Sequence, residues 1–481
     1  MASEYIIGID EGTQSAKITI YDFFGNIIMS ESEPLSSMHL ASGGVVEHPD
    51  DDLWSKICTA SKRLMLKFNE EFGSDANRRI VGVGLCSIRF CRCLLNGEGR
   101  LAQPAMSWMD DRVSRYHEST NPEVKYVTTA SGYITHRLTG ECRDTAANYL
   151  GIWPVDLDSY QYLGDDKLSE FNLEREMLFE LQMPGTIVGY VTAGASGETG
   201  FTQGLPVVAT ANDKAVEALG TGCIDVDTAV ISLGTYIAAM TPGDTNIQNS
   251  ENLWTNLASL PNRYLYESGG IRRGMWLLSW WTKIIGDEYK ERAEALGMSA
   301  EAMLDAEAEK IPTGSDGLLV VPNWLAPVDK PYRKGIILGF DGRHTRAHIF
   351  RALMEAIALT IKNKFDKMCI ELDRDIKKII ISGGGAKSAP FMQIFADVFN
   401  RPVERSGVSG AAGLGAAVCV AVATGVYPSY EHAVNAMVKK GEVFIPNSEA
   451  AGVYNRINLE IYQKLDGIGD DILQKVFEIF G

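Results

Sequence analysis

The sequence predicts a two-domain α/β protein built from two related halves. Three observations carry that expectation. The chain has 481 residues, more than a single hydrophobic core normally serves. Two short hairpins, one opening each half, turn at a Gly-Thr pair: Gly12-Thr13 and Gly234-Thr235. The apolar strand Lys378 to Ile381 runs into Gly383-Gly384-Gly385-Ala386-Lys387-Ser388 and then a helix. A turn with hydroxyls can cradle phosphate oxygens on its N–H groups. Strand, glycine run and helix let the backbone approach a phosphate or nucleoside closely.

The elements follow in order. Tyr5 to Ile9 is a near-continuous apolar strand. Ala16 to Tyr21 alternates, with Ala16, Ile18 and Ile20 on one face and Lys17, Thr19 and Tyr21 on the other. Phe24-Gly25-Asn26 turns the chain into Ile27-Ile28-Met29, completing a three-stranded meander. A helix after Pro49 carries Leu53, Trp54, Ile57, Leu64, Phe68 and Phe72 at helical spacing, and Ile80 to Cys86 is a strand. Val207 to Ala209 is another strand. The second hairpin begins a similar series, with a helix that aligns Phe350, Leu353, Met354, Ile357, Ile361, Phe365 and Met368. Gly410 to Ala423 is short for a membrane span and rich in Gly and Ala, which predicts a tightly packed buried helix. The order places a domain boundary near Asp225 to Asp227, dividing residues 1–225 from 226–481.

Apolar residues make up 45% and charged residues 22%, an ordinary globular mixture, and the net charge is -17. That charge argues against nucleic acid, whose phosphates need Lys and Arg. No membrane partner is expected, and a homodimer is compatible with the chain. The eight cysteines include no CxxC pair and no secretory leader precedes Tyr5, which reads as reduced thiols in a cytoplasmic protein.

Several residues could carry chemistry. Asp10 ends a buried strand beside the first turn, where it either organises Mg²⁺ through water or caps Gly12 or Thr13. Asp213 opens an apparent helix after a strand. It is placed either to accept a hydroxyl proton or simply to cap the helix N-terminus, and a cap can do both. Trp108, Asp110 and Arg112 combine an apolar wall, an acceptor and a forked donor, which suits a polyhydroxylated ligand but equally an exposed loop salt bridge. Arg89 and Arg92 invite the same two readings, with surface acids as the alternative partners. Lys17, on the face away from Ile18, reads as a solvated strand residue. His344 and His348 stand at i, i+4, a metal spacing or an ordinary helix start.

Together these pieces resemble the FGGY family of carbohydrate kinases, within the superfamily of sugar kinases, actin and heat-shock-chaperone ATPases. Asp10-Glu11-Gly12-Thr13-Gln14-Ser15 resembles the first phosphate motif and Ser232-Leu233-Gly234-Thr235 the second. Gly383 to Ser388, with Gln393 and Ala396-Asp397, resembles the adenosine motif. Trp108, Asp110 and Arg112 match W-x-D-x-R, Leu138-Thr139-Gly140 with Asp144 the LTG segment, and Gly415-Ala416-Ala417 the late GAA. The resemblance implies two ribonuclease-H-like (actin-like ATPase) domains around a cleft. It implies ATP-dependent phosphorylation of a sugar, ketose, sugar alcohol or sugar acid, with ATP and Mg²⁺. Asp213 would be the general base and Asp10 the Mg²⁺ residue. Gly12, Thr13, Gln14, Ser15, Gly234, Thr235, Gly384, Gly385, Ala386 and Lys387 would hold ATP. Arg89, Trp108, Asp110 and Arg112, with Asp213, would hold the sugar. Ile88-Arg89-Phe90 departs from the glycerol-kinase Gln-Arg-Glu and the xylulose-kinase Gln-Met-His, Trp324 to Pro331 replaces Gly-Glu-Arg-x-Pro, and a helical segment is missing after Glu118. The competing readings are an actin-like or chaperone-like ATPase acting on protein partners and a non-catalytic sugar sensor.

Overall fold

The computed structural model describes residues 4–327 and 330–480. A six-stranded and a seven-stranded sheet organise it. The first is built from β1 (Tyr5–Glu11), β2 (Ser15–Asp22), β3 (Ile27–Pro34), β4 (Ile80–Ser87), β5 (Ile187–Tyr190) and β6 (Pro206–Asn212). The second uses β7 (Thr228–Leu233), β8 (Ile237–Gly243), β9 (Leu253–Leu257), β10 (Tyr264–Ser268), β11 (Lys378–Ser382), β12 (Val403–Arg405) and β13 (Val443–Phe444). Strand order is β5-β6-β4-β1-β2-β3 in the first and β9-β10-β8-β7-β11-β12-β13 in the second. The two centres are alike. β1 runs antiparallel to β2 and parallel to β4, and β7 runs antiparallel to β8 and parallel to β11.

The meander forms as the sequence predicts, with β2 antiparallel to both β1 and β3. Its second turn is closed by Asp22, whose Oδ1 accepts from the N–H groups of Phe24 and Asn26, each at 2.9 Å. Ala16, Ile18 and Ile20 pack in one core with residues of α1 (Asp52–Phe72). The opposite face is not solvated: Thr19 and Tyr21 are buried too. The cover is the Gly/Ala helix. The helices around the site are α2 (Asp213–Gly220), α3 (Arg346–Glu371), α4 (Ala389–Phe399) and α5 (Ala411–Ala423). Although late in the chain, α5 packs on β1, β4 and α2 of the first half. The approach is backbone to backbone. A Cβ on Gly8 would lie 2.2 Å from the Gly413 carbonyl oxygen, which only glycine permits.

No helix among the described residues is long and apolar enough to cross a membrane. The eight cysteines are all free thiols. His344 and His348 serve the start of α3: His348 Nδ1 accepts from Thr345 N–H at 3.1 Å, and His344 Nδ1 accepts from Asp341 N–H at 2.9 Å. Residues 115–125 form no helix and lead directly into the strand Tyr126–Thr129. Within the segment Trp324 to Pro331, Val328 and Asp329 lie outside the described residues.

Candidate active site

A cleft of about 550 Å³ opens where the C-terminal ends of β1 and β11 meet the N-terminus of α2. Asp10, Gly12 and Thr13 line it from the first hairpin, and Asp213 and Glu217 from α2. Gly383, Gly384, Ala386 and Lys387 face them, with the Arg405–Ala412 segment closing one side. The glycine run reaches this position because Gly383 adopts φ +85°, where a Cβ would sit 2.5 Å from the Leu233 carbonyl oxygen. Only glycine combines that conformation with that contact.

Other predicted residues stand off the wall of this cavity. Gln14 is exposed, and its carbonyl accepts from Leu35 N–H. Ser15 closes the first turn by accepting from Gly12 N–H at 3.0 Å. The carbonyls of Gly234 and Thr235 accept from Met275 and Gly274 N–H, so the second turn is wedged against the segment 274–275. Gly385 points inward, where a Cβ would meet Met275 Sδ at 2.7 Å.

Two acids at or beside the cleft, Asp213 and Glu11, each keep a buried oxygen without a partner. Burial, and then the Asp213 charge, push Asp10 up to about 6. Glu11 is pushed up to about 8 by burial, against a hydrogen bond donated by Ser87 Oγ to Oε2 at 2.8 Å, while its Oε1 has no partner. Asp213 is also raised, by burial above all, although Arg89 and Lys214 oppose the rise, and its Oδ1 is buried without a partner. Asp213 does not cap its helix. Asn212 does, because its extended backbone lets the side chain accept from Ala215 N–H at 3.1 Å, which leaves Asp213 in the first turn with its carboxylate free.

Sequence reasoning passed over the partner network. Glu217, one turn along α2 from Asp213, accepts from Lys214 Nζ at 3.3 Å, from Ser232 Oγ at 2.8 Å, and from Ser382 Oγ. It thereby ties α2 to the ends of β7 and β11. The i, i+4 spacing of Asp213 and Glu217 is the signal that could have marked it. Burial would lower Lys214, but Glu217 and Asp213 more than offset it and hold the ammonium charged. Lys17 is half-buried and its charge acts on Asp10, so it is not a solvated strand residue.

Arg89 and Arg92 find no surface acids. Arg89 forks onto Glu267 of β10, a buried residue. Burial works against the Arg89 charge, but Glu267 raises its pKa overall. Arg92 donates into the carbonyls of Arg112 and Arg115. Trp108 Nε1 donates to Thr13 Oγ1 at 3.3 Å, which joins the aromatic wall to the first turn. Asp110 is buried rather than exposed. It accepts from Val46 N–H and Arg112 N–H and from the Arg112 guanidinium, which also reaches Glu47 at 2.6 Å.

Residues 5–126 match the N-terminal-domain model, and residues 229–424 the C-terminal-domain model, of the FGGY family of carbohydrate kinases. The uncharacterized sugar kinase YgcE of Escherichia coli is 46% identical over 480 residues, covering 100% of this chain and 96% of that protein. The chain belongs to the FGGY family of carbohydrate kinases and is an ATP-dependent sugar phosphotransferase. Solved structures carry the same two-domain actin-like fold. A xylulose kinase from Rhodospirillum rubrum superposes with a TM-score of 0.82 at 22% identity, covering 98% of this chain and 100% of that one. A gluconate kinase from Lactobacillus acidophilus does so with a TM-score of 0.82 at 18% identity, covering 98% and 99%.

Proposed function

We propose that Asp213 is the general base of the phosphoryl transfer and that the cleft between the two sheets is where it occurs. The observation that carries this reading is the buried, unpartnered Oδ1 of Asp213, a residue that lines the same cavity as the glycine run. The glycine run and the two Gly-Thr turns hold ATP. Trp108 and Arg89 line the acceptor side, where Asp110 and Arg112 brace the loop that presents Trp108. The acceptor hydroxyl gives its proton to Asp213 while its oxygen attacks the γ-phosphorus. The bond to the bridging oxygen breaks and ADP leaves. Closure of the halves excludes water as a competing acceptor.

Mg²⁺ fits the residues present. Asp10 borders the cleft beside the first turn, where its carboxylate could hold the ion through water. Among the described residues no three His, Cys, Asp or Glu side chains converge into a cage, which suits an ion that keeps water and takes phosphate oxygens. When bound, it would neutralise charge on the transferring phosphate. We divide the chain at Asp225 to Asp227, with α5 crossing from the second half to cover the first sheet. The free thiols support a cytoplasmic enzyme.

The test is ADP release with Mg²⁺ and a panel of pentuloses, hexuloses, polyols and aldonates. Asp213→Asn should lower kcat by ~10²–10⁴-fold while ATP still binds. Near wild-type turnover in that variant would remove Asp213 from the chemistry.

A further inference from the structure

We infer that the acceptor is a neutral polyhydroxy compound, a ketose or sugar alcohol rather than a sugar acid, and that Glu267 is the specificity-determining residue. The inference rests on the kinase reading of the cleft. The fold leaves the question open, since it is shared by a xylulose kinase and a gluconate kinase.

Arg89 follows β4 directly, and its charge acts on Asp213. On the kinase reading it is a cation of the acceptor side, and it is already spent on Glu267. Its Nη1 donates to Glu267 Oε2 at 2.8 Å and its Nη2 to Oε1 at 2.9 Å, with Asn256 Oδ1 at 3.3 Å from Nη1. Asn256 Nδ2 also donates to Glu267 Oε2 at 3.3 Å. The guanidinium is also covered by aromatic rings, 5.4 Å from the centroid of Phe90 and 5.1 Å from that of Trp254. The side chain of Arg89 is 12% exposed and that of Glu267 only 3%.

The other cation whose charge acts on Asp213, Lys214, is committed as well, and so are the two arginines on the Trp108 side. Lys17 and Lys387 carry no ion pair among the described residues, but they stand by Asp10 and the glycine run. Lys214 bonds to Glu217 and Ser232, Arg92 to backbone carbonyls, and Arg112 to Asp110 and Glu47. An anionic acceptor therefore has two routes. It can displace Glu267 from the fork and leave that carboxylate buried without its cation. Otherwise it must sit unpaired near Asp213. Both are strongly unfavourable in a desolvated site. A neutral acceptor incurs neither penalty and exchanges hydrogen bonds only. Because Arg89 comes from the first sheet's side and Glu267 from the second sheet, the pair spans the two halves, and the repulsive element is built into the closed site.

The test compares kcat/KM for ADP release by the full chain with a hexulose, a hexitol and the aldonate of equal length. Wild type should prefer a neutral acceptor by about a hundredfold or more. Glu267→Gln removes the charge and keeps the shape, and should raise the aldonate-to-neutral ratio at least about tenfold. Glu267→Asp keeps the carboxylate and should leave the ratio near that of wild type. An aldonate preferred by wild type, or an unchanged ratio in a folded Glu267→Gln, overturns the inference and leaves the kinase reading standing. Activity with no acceptor of either kind overturns both. If Glu267→Gln does not fold, the wild-type ratio decides alone.

Discussion

Asp213 of the cleft and Glu11 on the strand beside it are held in the opposite way to Asp110 and Asp144 of the first half. Asp213 Oδ1 and Glu11 Oε1 face no donor. Asp110 and Asp144 have both oxygens engaged. Asp144 accepts from Thr129 Oγ1 and Ser131 Oγ, each at 2.7 Å, and from Thr145 N–H at 2.7 Å. A buried carboxylate without donors destabilises the fold and is free to take a proton, whereas one with every lone pair used is a brace. Unmet hydrogen-bonding capacity, rather than burial, separates Asp213 and Glu11 from the acids that brace the fold.

Asp213→Asn breaks this comparison most sharply. The folded-state pKa of Asp213 lies above its ordinary value, so its charge weakens the fold as pH rises through that pKa. Neutral Asn removes that penalty. The variant that the general-base proposal expects to lose ~10²–10⁴-fold in kcat should therefore melt no lower than wild type at pH 8, and higher if the local packing is kept. A clearly lower Tm would place Asp213 among the braces.

Asp110→Ala should do the reverse. Burial raises Asp110, but Arg112 and the Val46 N–H together bring its pKa below the usual carboxylate value. Losing these bonds should cost about 2–4 kcal/mol of stability, less than for a fully buried pair because the Arg112 side chain is 35% exposed. Chemical denaturation measures the cost. A collapse in kcat with unchanged stability would move Asp110 into the reactive group.

Much of this was readable from local spacing. The meander, the two Gly-Thr turns, α3 and the glycine run all follow from patterns a few residues long. The sequence could not sort Asn212 from Asp213 as the helix cap, since both residue types cap well and the backbone angles at 212 decide. Nor could it place α5 on the first sheet, which buries Thr19 and Tyr21 and defeats the alternation of β2. The fork between Arg89 and Glu267 joins residues 178 positions apart, and no local pattern marks it.

An effect of comparable size, spread over about two pH units, tests whether a satisfied brace can still carry a penalty. Burial pushes Asp144 up to about 6, and the donated bonds from Ser131, Thr129 and Thr145 pull only part of the way back. Its folded pKa thus exceeds the unfolded value of 3.8. The folded chain then binds more protons between pH 4 and pH 6. Its contribution to stability is complete below about pH 4 and is lost as pH rises through about 6, by on the order of 3 kcal/mol. Asp144→Asn cannot titrate, and the two asparagine groups can still pair with the Thr129 and Ser131 hydroxyls after these rotate. Subtracting the variant's unfolding free energy from that of wild type at each pH cancels every other group. That difference should fall steadily from pH 4 to pH 6 and then level off. A flat difference would mean that the three donors hold Asp144 ionised throughout, and that for this residue satisfaction outweighs burial.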